Sequence, residues 1–153
     1  VEINGATFVS LLINGKATKK IGLPVRDYFI WGDDGEYTER LTRYFNPAYI
    51  IGKSIVIHKR KGNGTLSLFD EENVNRVGFW YYMVRNNLIN TKEYFGKNKM
   101  LRLMLEFECK AIACLIKPKV KYRFRKFTIV NKGIGAFIFK RYDYKAFNNR
   151  FNS

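Results

Sequence analysis

Trp31-Gly32-Asp33-Asp34-Gly35-Glu36-Tyr37 is the stretch on which the reading of this chain turns. Three carboxylates fall within four positions, beside two glycines and two aromatics. The only histidine, His58, follows 24 residues after Asp34. Crowded acids repel one another unless a metal, a cation or a proton offsets the charge. The cluster is therefore either a site of chemistry or an acidic helix start.

Working outward, Asp33 or Asp34 caps a helix reaching to about Phe45, where a carboxylate accepts free backbone N–H groups. Tyr37, Leu41 and Tyr44 recur at three and four and give that helix one packing face. Glu36 and Arg40, four apart with the acid first, form a surface pair. Upstream, Ala6 to Asn14 is apolar and β-branched enough for a buried strand. Gly22-Leu23-Pro24 closes a short polar segment, and Pro24 blocks a helix there. Asp27 to Trp31 is a short aromatic run. Downstream, Tyr49 to Ile57 reads as a second strand with His58 at its end, followed by the basic, glycine-bearing loop Lys59 to Gly64. Strand, helix, strand with polar residues at strand ends is the pattern of an α/β sheet that binds ligands along one edge.

The rest of the chain reads as helices. Val74 to Asn90 is one. Asn98 to Lys117 is another, with Arg102, Glu106 and Lys110 recurring every fourth residue and a wide apolar face left to bury in protein or at a membrane interface. Pro118 ends it. Lys119 to Phe127 alternates basic and apolar residues, which fits a strand by period and, equally, a helix running through Gly133 and Gly135. Residues 1–72 and 73–153 thus form two regions, the first mixed α/β and the second basic and helical.

The 153 residues, 46% hydrophobic and 16% aromatic, are enough for a core and exclude a disordered tail. The net charge of +15 is lopsided. Up to Glu72 there are 10 Lys and Arg against 9 Asp and Glu; from Asn73 onward there are 18 against 4. No segment resembles a signal peptide, and no apolar stretch approaches the ~20 residues of a membrane span. Cys109 and Cys114 sit five apart on a helix and point to different faces; with one histidine they do not make a zinc site.

Asp33, Asp34 and Glu36 suit an ordinary acidic first turn. Trp31 and Gly32 place an aromatic surface and open backbone beside them, as a sugar- or base-binding cleft does. A carboxylate fixed at a helix N-terminus has the orientation a general base needs. His58 fits a structural histidine or a metal-handling one, and Lys59, Arg60 and Lys61 fit a solvated turn or a diphosphate-binding loop.

Gly22-Leu23-Pro24, then Tyr28 to Tyr37 with Arg40, then Ser54-Ile55-Val56-Ile57-His58-Lys59, resembles the catalytic second half of family 2 glycosyltransferases. The likeness is closest to bacterial galactofuranosyl- and rhamnosyltransferase-like members. Tyr81-Tyr82-Met83-Val84-Arg85-Asn86 resembles the Tyr-Tyr-x-x-Arg-Asn segment that follows the catalytic domain in the same group. The resemblance spans roughly Ala6 to Asn87, with a weaker echo to Tyr144. It implies a partial GT-A (Rossmann-like) sheet and metal-dependent, inverting transfer of a sugar from a nucleotide sugar to a glycan or lipid-linked acceptor, in cell-wall or surface polysaccharide synthesis. Asp34 would be the base that deprotonates the acceptor hydroxyl. Asp33 and Glu36 would orient acceptor or base, and Trp31 and Tyr37 would line the acceptor subsite. His58 would help hold Mg or Mn on the donor diphosphate, beside Lys59, Arg60 and Lys61.

The family's Asp-x-Asp metal motif and nucleotide-binding strands lie upstream of this half, and no Asp-x-Asp precedes Ala6. A single histidine holds Mg²⁺ or Mn²⁺ poorly. The chain is accordingly expected to be a fragment, inactive alone, whose partner is the missing N-terminal half of the same protein. The basic helices favour an anionic membrane surface, which points to the cytoplasm and the inner face of the plasma membrane. Two other readings stay open: a basic nucleic-acid-binding module, for which no known motif is visible and which is not expected, and a non-catalytic interaction domain docking through Asn98 to Lys117.

Overall fold

The computed structural model describes residues 1–59 and 67–142. The described residues are mainly helical, 59% helix, with five α-helices and one two-stranded sheet among them. Its described residues form two compact units, one of residues 1–27 and 33–59, the other of residues 28–32 and 67–142.

In the first unit, strands β1 (Glu2–Ile3) and β2 (Ala48–Tyr49) pair antiparallel, Glu2 opposite Tyr49 and Ile3 opposite Ala48. Helix α1 (Gly15–Ile21) starts where the Asn14 side chain accepts the Lys16 N–H at 2.9 Å, and Lys19 and Lys20 complement its C-terminal dipole. Helix α2 (Asp33–Tyr44) carries three acids in its first turn. Its threonines tie down the preceding chain: Thr38 Oγ1 accepts the Ala6 N–H at 3.0 Å, and Thr42 Oγ1 donates to Asn4 O at 3.0 Å.

The strands expected over 6–14 and 49–57 do not form. A strand is a pairing rather than a local conformation, and an apolar run with no neighbour has nowhere to send its backbone hydrogen bonds except locally or to water. Residues 8–9 turn, and Leu12 is 99% exposed. Past Tyr49 the chain turns at Gly52, where Ser54 N donates to Ile51 O at 3.0 Å, and Ile55, Val56 and Ile57 are exposed.

The second unit packs three helices, α3 (Val74–Phe95), α4 (Lys97–Ile116) and α5 (Arg123–Ile138), against one another. The helices expected over 74–90 and 98–117 are therefore present, and the open question over 119–127 resolves as a turn running into α5. The helical period of α5 gathers the buried residues Lys126, Val130, Gly133, Ile134 and Phe137 on one face. Lys126 is buried because its Nζ donates to Phe69 O at 2.9 Å; desolvation lowers its pKa below 10.5, against the pull of nearby acids. Asn73 caps α3 by accepting the N–H groups of Asn75 and Arg76. Gly96, at φ +90°, ends α3 and leads directly into α4. At Gly133 a Cβ would stand 2.9 Å from both Tyr81 O and Val84 Cβ, so the glycine sets how closely α5 approaches α3. Cys114 is buried and Cys109 exposed, both as free thiols.

Candidate functional site

The backbone just before the acid pair is unusual. Phe29 and Trp31 both have φ +59°, and Gly32 has φ +92°. For bulky aromatic residues the left-handed region costs on the order of 1–3 kcal/mol each, and such conformations persist only where their surroundings enforce them. Within the second unit, two asparagines of α3 supply the enforcement. Asn86, fully buried, directs its amide N–H₂ at the carbonyls of Tyr28 (3.0 Å), Ile30 (3.1 Å) and Trp31 (2.7 Å). Two protons are shared among three acceptors. Asn90 donates to Gly32 O at 2.9 Å and accepts from the Tyr28 hydroxyl.

Arg85 fixes the orientation of the Asn86 amide. Its Nε donates to Asn86 Oδ1 at 3.0 Å, and its guanidinium lies 5.4 and 5.3 Å from the ring centroids of Tyr81 and Tyr82. The rings of Phe29 and Trp31 pack against Phe79, Tyr82 and Trp80 of the same helix. The dihedral favours glycine at position 32, and a Cβ there would press on Asn86 Cβ at 3.1 Å.

Asp33 and Asp34 open α2 in the first unit. Asp34 Oδ1 accepts the Gly35 N–H at 2.8 Å. Burial pushes the Asp33 carboxyl above 3.8; backbone N–H groups oppose the shift and the Asp34 charge adds to it. Glu36 and Tyr37 face inward. Glu36 is fully buried and grips Arg40 with both oxygens, at 2.9 and 3.2 Å. Arg40 in turn donates to the carbonyls of Ile21 and Leu23, the latter at 3.1 Å. This pair, expected on the surface, is a buried clamp on the 21–23 loop. The Tyr37 hydroxyl donates to Gly22 O at 3.0 Å, and its ring lies beneath Arg40. The glycine-leucine-proline loop and the helix carrying the acids are therefore fixed to each other from inside.

His58 and Lys59 are exposed and outside any regular element. Arg60 and Lys61 lie outside the described residues. No hydrogen bond or ion pair among the described residues joins His58 to Asp33 or Asp34. No group of three His, Cys, Asp or Glu among them could hold a metal ion, and His58 alone does not fit Mg²⁺ or Mn²⁺, which want several oxygen ligands. An open cavity of about 420 Å³ in the first unit is bordered by Lys20, Gly22, Pro24, Arg26 and Arg40; neither Asp34 nor His58 lines it.

The sequence motif pointed to Tyr81 through Asn86 without assigning them a task. The available signal was a run of amides, Asn86, Asn87 and Asn90, inside an otherwise apolar helix, where poor helix formers need a reason to be. No protein-family model matches the sequence, and no curated protein or solved structure matches it either.

Proposed function

We propose that this chain is the acceptor-side part of a family 2, GT-A-type inverting glycosyltransferase, with Asp34 as its general base. One observation carries the reading: the costly left-handed backbone at Phe29, Trp31 and Gly32, clamped by Asn86 and Asn90, lies immediately before the acid pair. Strain maintained by a buried amide network marks a segment whose conformation is under functional constraint. Asp34 takes the proton of an acceptor sugar hydroxyl as that oxygen attacks the anomeric carbon of the donor, and the nucleoside diphosphate leaves with inversion. Asp33 flanks the base. Glu36 and Tyr37 act through the loop and helix they hold, as positioning residues.

The described residues do not fit a complete metal site, so their assigned work is the proton transfer and the shaping of the acceptor side. Nucleotide binding and the oxygen ligands for Mg or Mn fall to a nucleotide-binding half. The exposed apolar residues Leu12, Ile55, Val56 and Ile57 favour such a neighbour, because strand-like apolar runs left in water are surfaces for pairing. The acceptor is a glycan or a lipid-linked sugar, which puts the work at the inner face of the plasma membrane; no helix among the described residues is long and apolar enough to cross one.

The test compares nucleotide-sugar turnover by the 153-residue chain and by the same chain joined to a nucleotide-binding half. Turnover by the joined protein alone is expected. Turnover by the isolated chain would overturn the division of labour, and none from the joined protein across a donor panel would overturn the reading itself.

A further inference from the structure

We propose that the outer face of α4, together with the α4–α5 corner, is a docking surface for an anionic lipid bilayer. Leu101, Leu105, Cys109, Ile112 and Ile116 recur at intervals of four, four, three and four, so they form one stripe on the helix. All five are exposed, Leu105 at 63% and Ile116 at 75%. From Leu101 to Ile116 the stripe runs about 22 Å. The buried residues Met100, Phe107, Ala111 and Cys114 lie on the opposite face, so α4 has one apolar side against α3 and α5 and a second facing out.

The corner that follows α4 is apolar and exposed as well. Arg123 folds back to donate to Leu115 O and Pro118 O, at 3.4 and 3.1 Å. Val120 is buried beneath, which leaves Tyr122 and Phe124 pointing outward, Phe124 at 74% exposure. Lys119 and Arg125 are exposed beside them.

Charge selects the occupant. Between Lys97 and Tyr142 there are 13 Lys and Arg against 2 acids. A protein partner would need a matching acidic face. A nucleic acid would have little use for an aliphatic row, since leucine and isoleucine offer bases nothing to stack on. An anionic bilayer satisfies both properties at once, taking the apolar stripe at the acyl boundary and the cations at the headgroups. The inference deepens the membrane placement proposed above and does not depend on the role of Asp34.

Sedimentation of the 153-residue chain with vesicles tests it. Binding is expected to phosphatidylcholine vesicles containing a third phosphatidylglycerol, weakening with salt, and not to phosphatidylcholine alone. Ile116→Ser and Phe124→Ser, both at exposed positions, are each expected to lower the partition coefficient by at least about tenfold, and Lys119→Gln by about fivefold. A polarity-sensitive dye on the exposed Cys109 shifts blue with the anionic vesicles if the stripe enters the bilayer. Asp34→Asn leaves vesicle binding unchanged, so failure here and failure of the transferase reading are separable. Equal binding to both vesicle types, or a Cys109 dye that stays in water when the protein is bound, would overturn the proposal.

Discussion

Asn86→Ala removes the amide that holds the 28–32 backbone, and its effect can be worked from the geometry. Three carbonyl acceptors lose their donor. The buried Tyr28 carbonyl costs about 1–3 kcal/mol when left without a partner, whereas the part-buried Ile30 and Trp31 carbonyls turn to water and lose about 0.5–1.5 kcal/mol each. Alanine recovers roughly 0.5 kcal/mol in helix propensity. Relaxation of Phe29 and Trp31 out of the left-handed region returns part of the loss. The expected destabilisation is about 3 kcal/mol.

Asn87→Ala is the internal control. It offers the same propensity gain, but its amide donates only within its own helix, to Met83, so its cost stays below about 1 kcal/mol. Urea unfolding followed by tryptophan fluorescence suits the comparison, because Trp31 and Trp80 belong to the same unit as Asn86. Asn86→Asp keeps the size and loses the donor, and should resemble the alanine variant. If Asn86→Ala and Asn87→Ala unfold within about 1 kcal/mol of each other, Asn86 does not enforce the segment and the strain argument fails.

Glu36→Ala leaves the Arg40 guanidinium buried without its carboxylate and is expected to destabilise by about 3–5 kcal/mol in the same urea assay; a loss under 1 kcal/mol would mean that water reaches Arg40. Gly133→Ala drives a methyl into α3 and should cost about 1–3 kcal/mol, whereas Gly135→Ala, with open space around its Cβ, should not. Asp33→Asn tests the raised carboxyl. The folded pKa lies above 3.8, so the native state binds the proton more tightly than the unfolded chain. The penalty for ionising Asp33 is absent below the unfolded value and appears as pH rises through the folded one. Asp33→Asn should therefore raise Tm at neutral pH and leave it unchanged near about pH 3; a gain that persists in acid would show that charge is not the cause.

Helices α2, α3 and α4 were legible because their signals are local, whereas α1 read only as a short polar segment and α5 was left open between helix and strand. The acids opening α2 and the repeating polar residues of α4 each act within one or two turns. The strands were not legible. Ala6 to Asn14 and Tyr49 to Ile57 have strand-like composition, but pairing is decided by a partner that composition does not supply. Alternation over 119–127 left strand and helix equally open; α5 begins at Arg123, and Lys126 joins its buried face with Nζ donating to the Phe69 carbonyl.

Of the candidate site, the acid pair stands at a helix start as read. Glu36 and Tyr37 are inside, since spacing predicts that Glu36 and Arg40 meet but cannot tell whether they meet in water. The clamp by Asn86 joins residues 55 to 58 apart in sequence, a separation at which no periodicity carries information.

Turnover by the Asp34→Asn enzyme, measured in the protein that includes its nucleotide-binding half, bears most directly on the proposed chemistry. A general base contributes about 10²–10⁴-fold, so kcat should fall by that factor while donor binding, measured separately by calorimetry, is unchanged. An Asp34→Asn enzyme that retains kcat within a few-fold of the parent would contradict it.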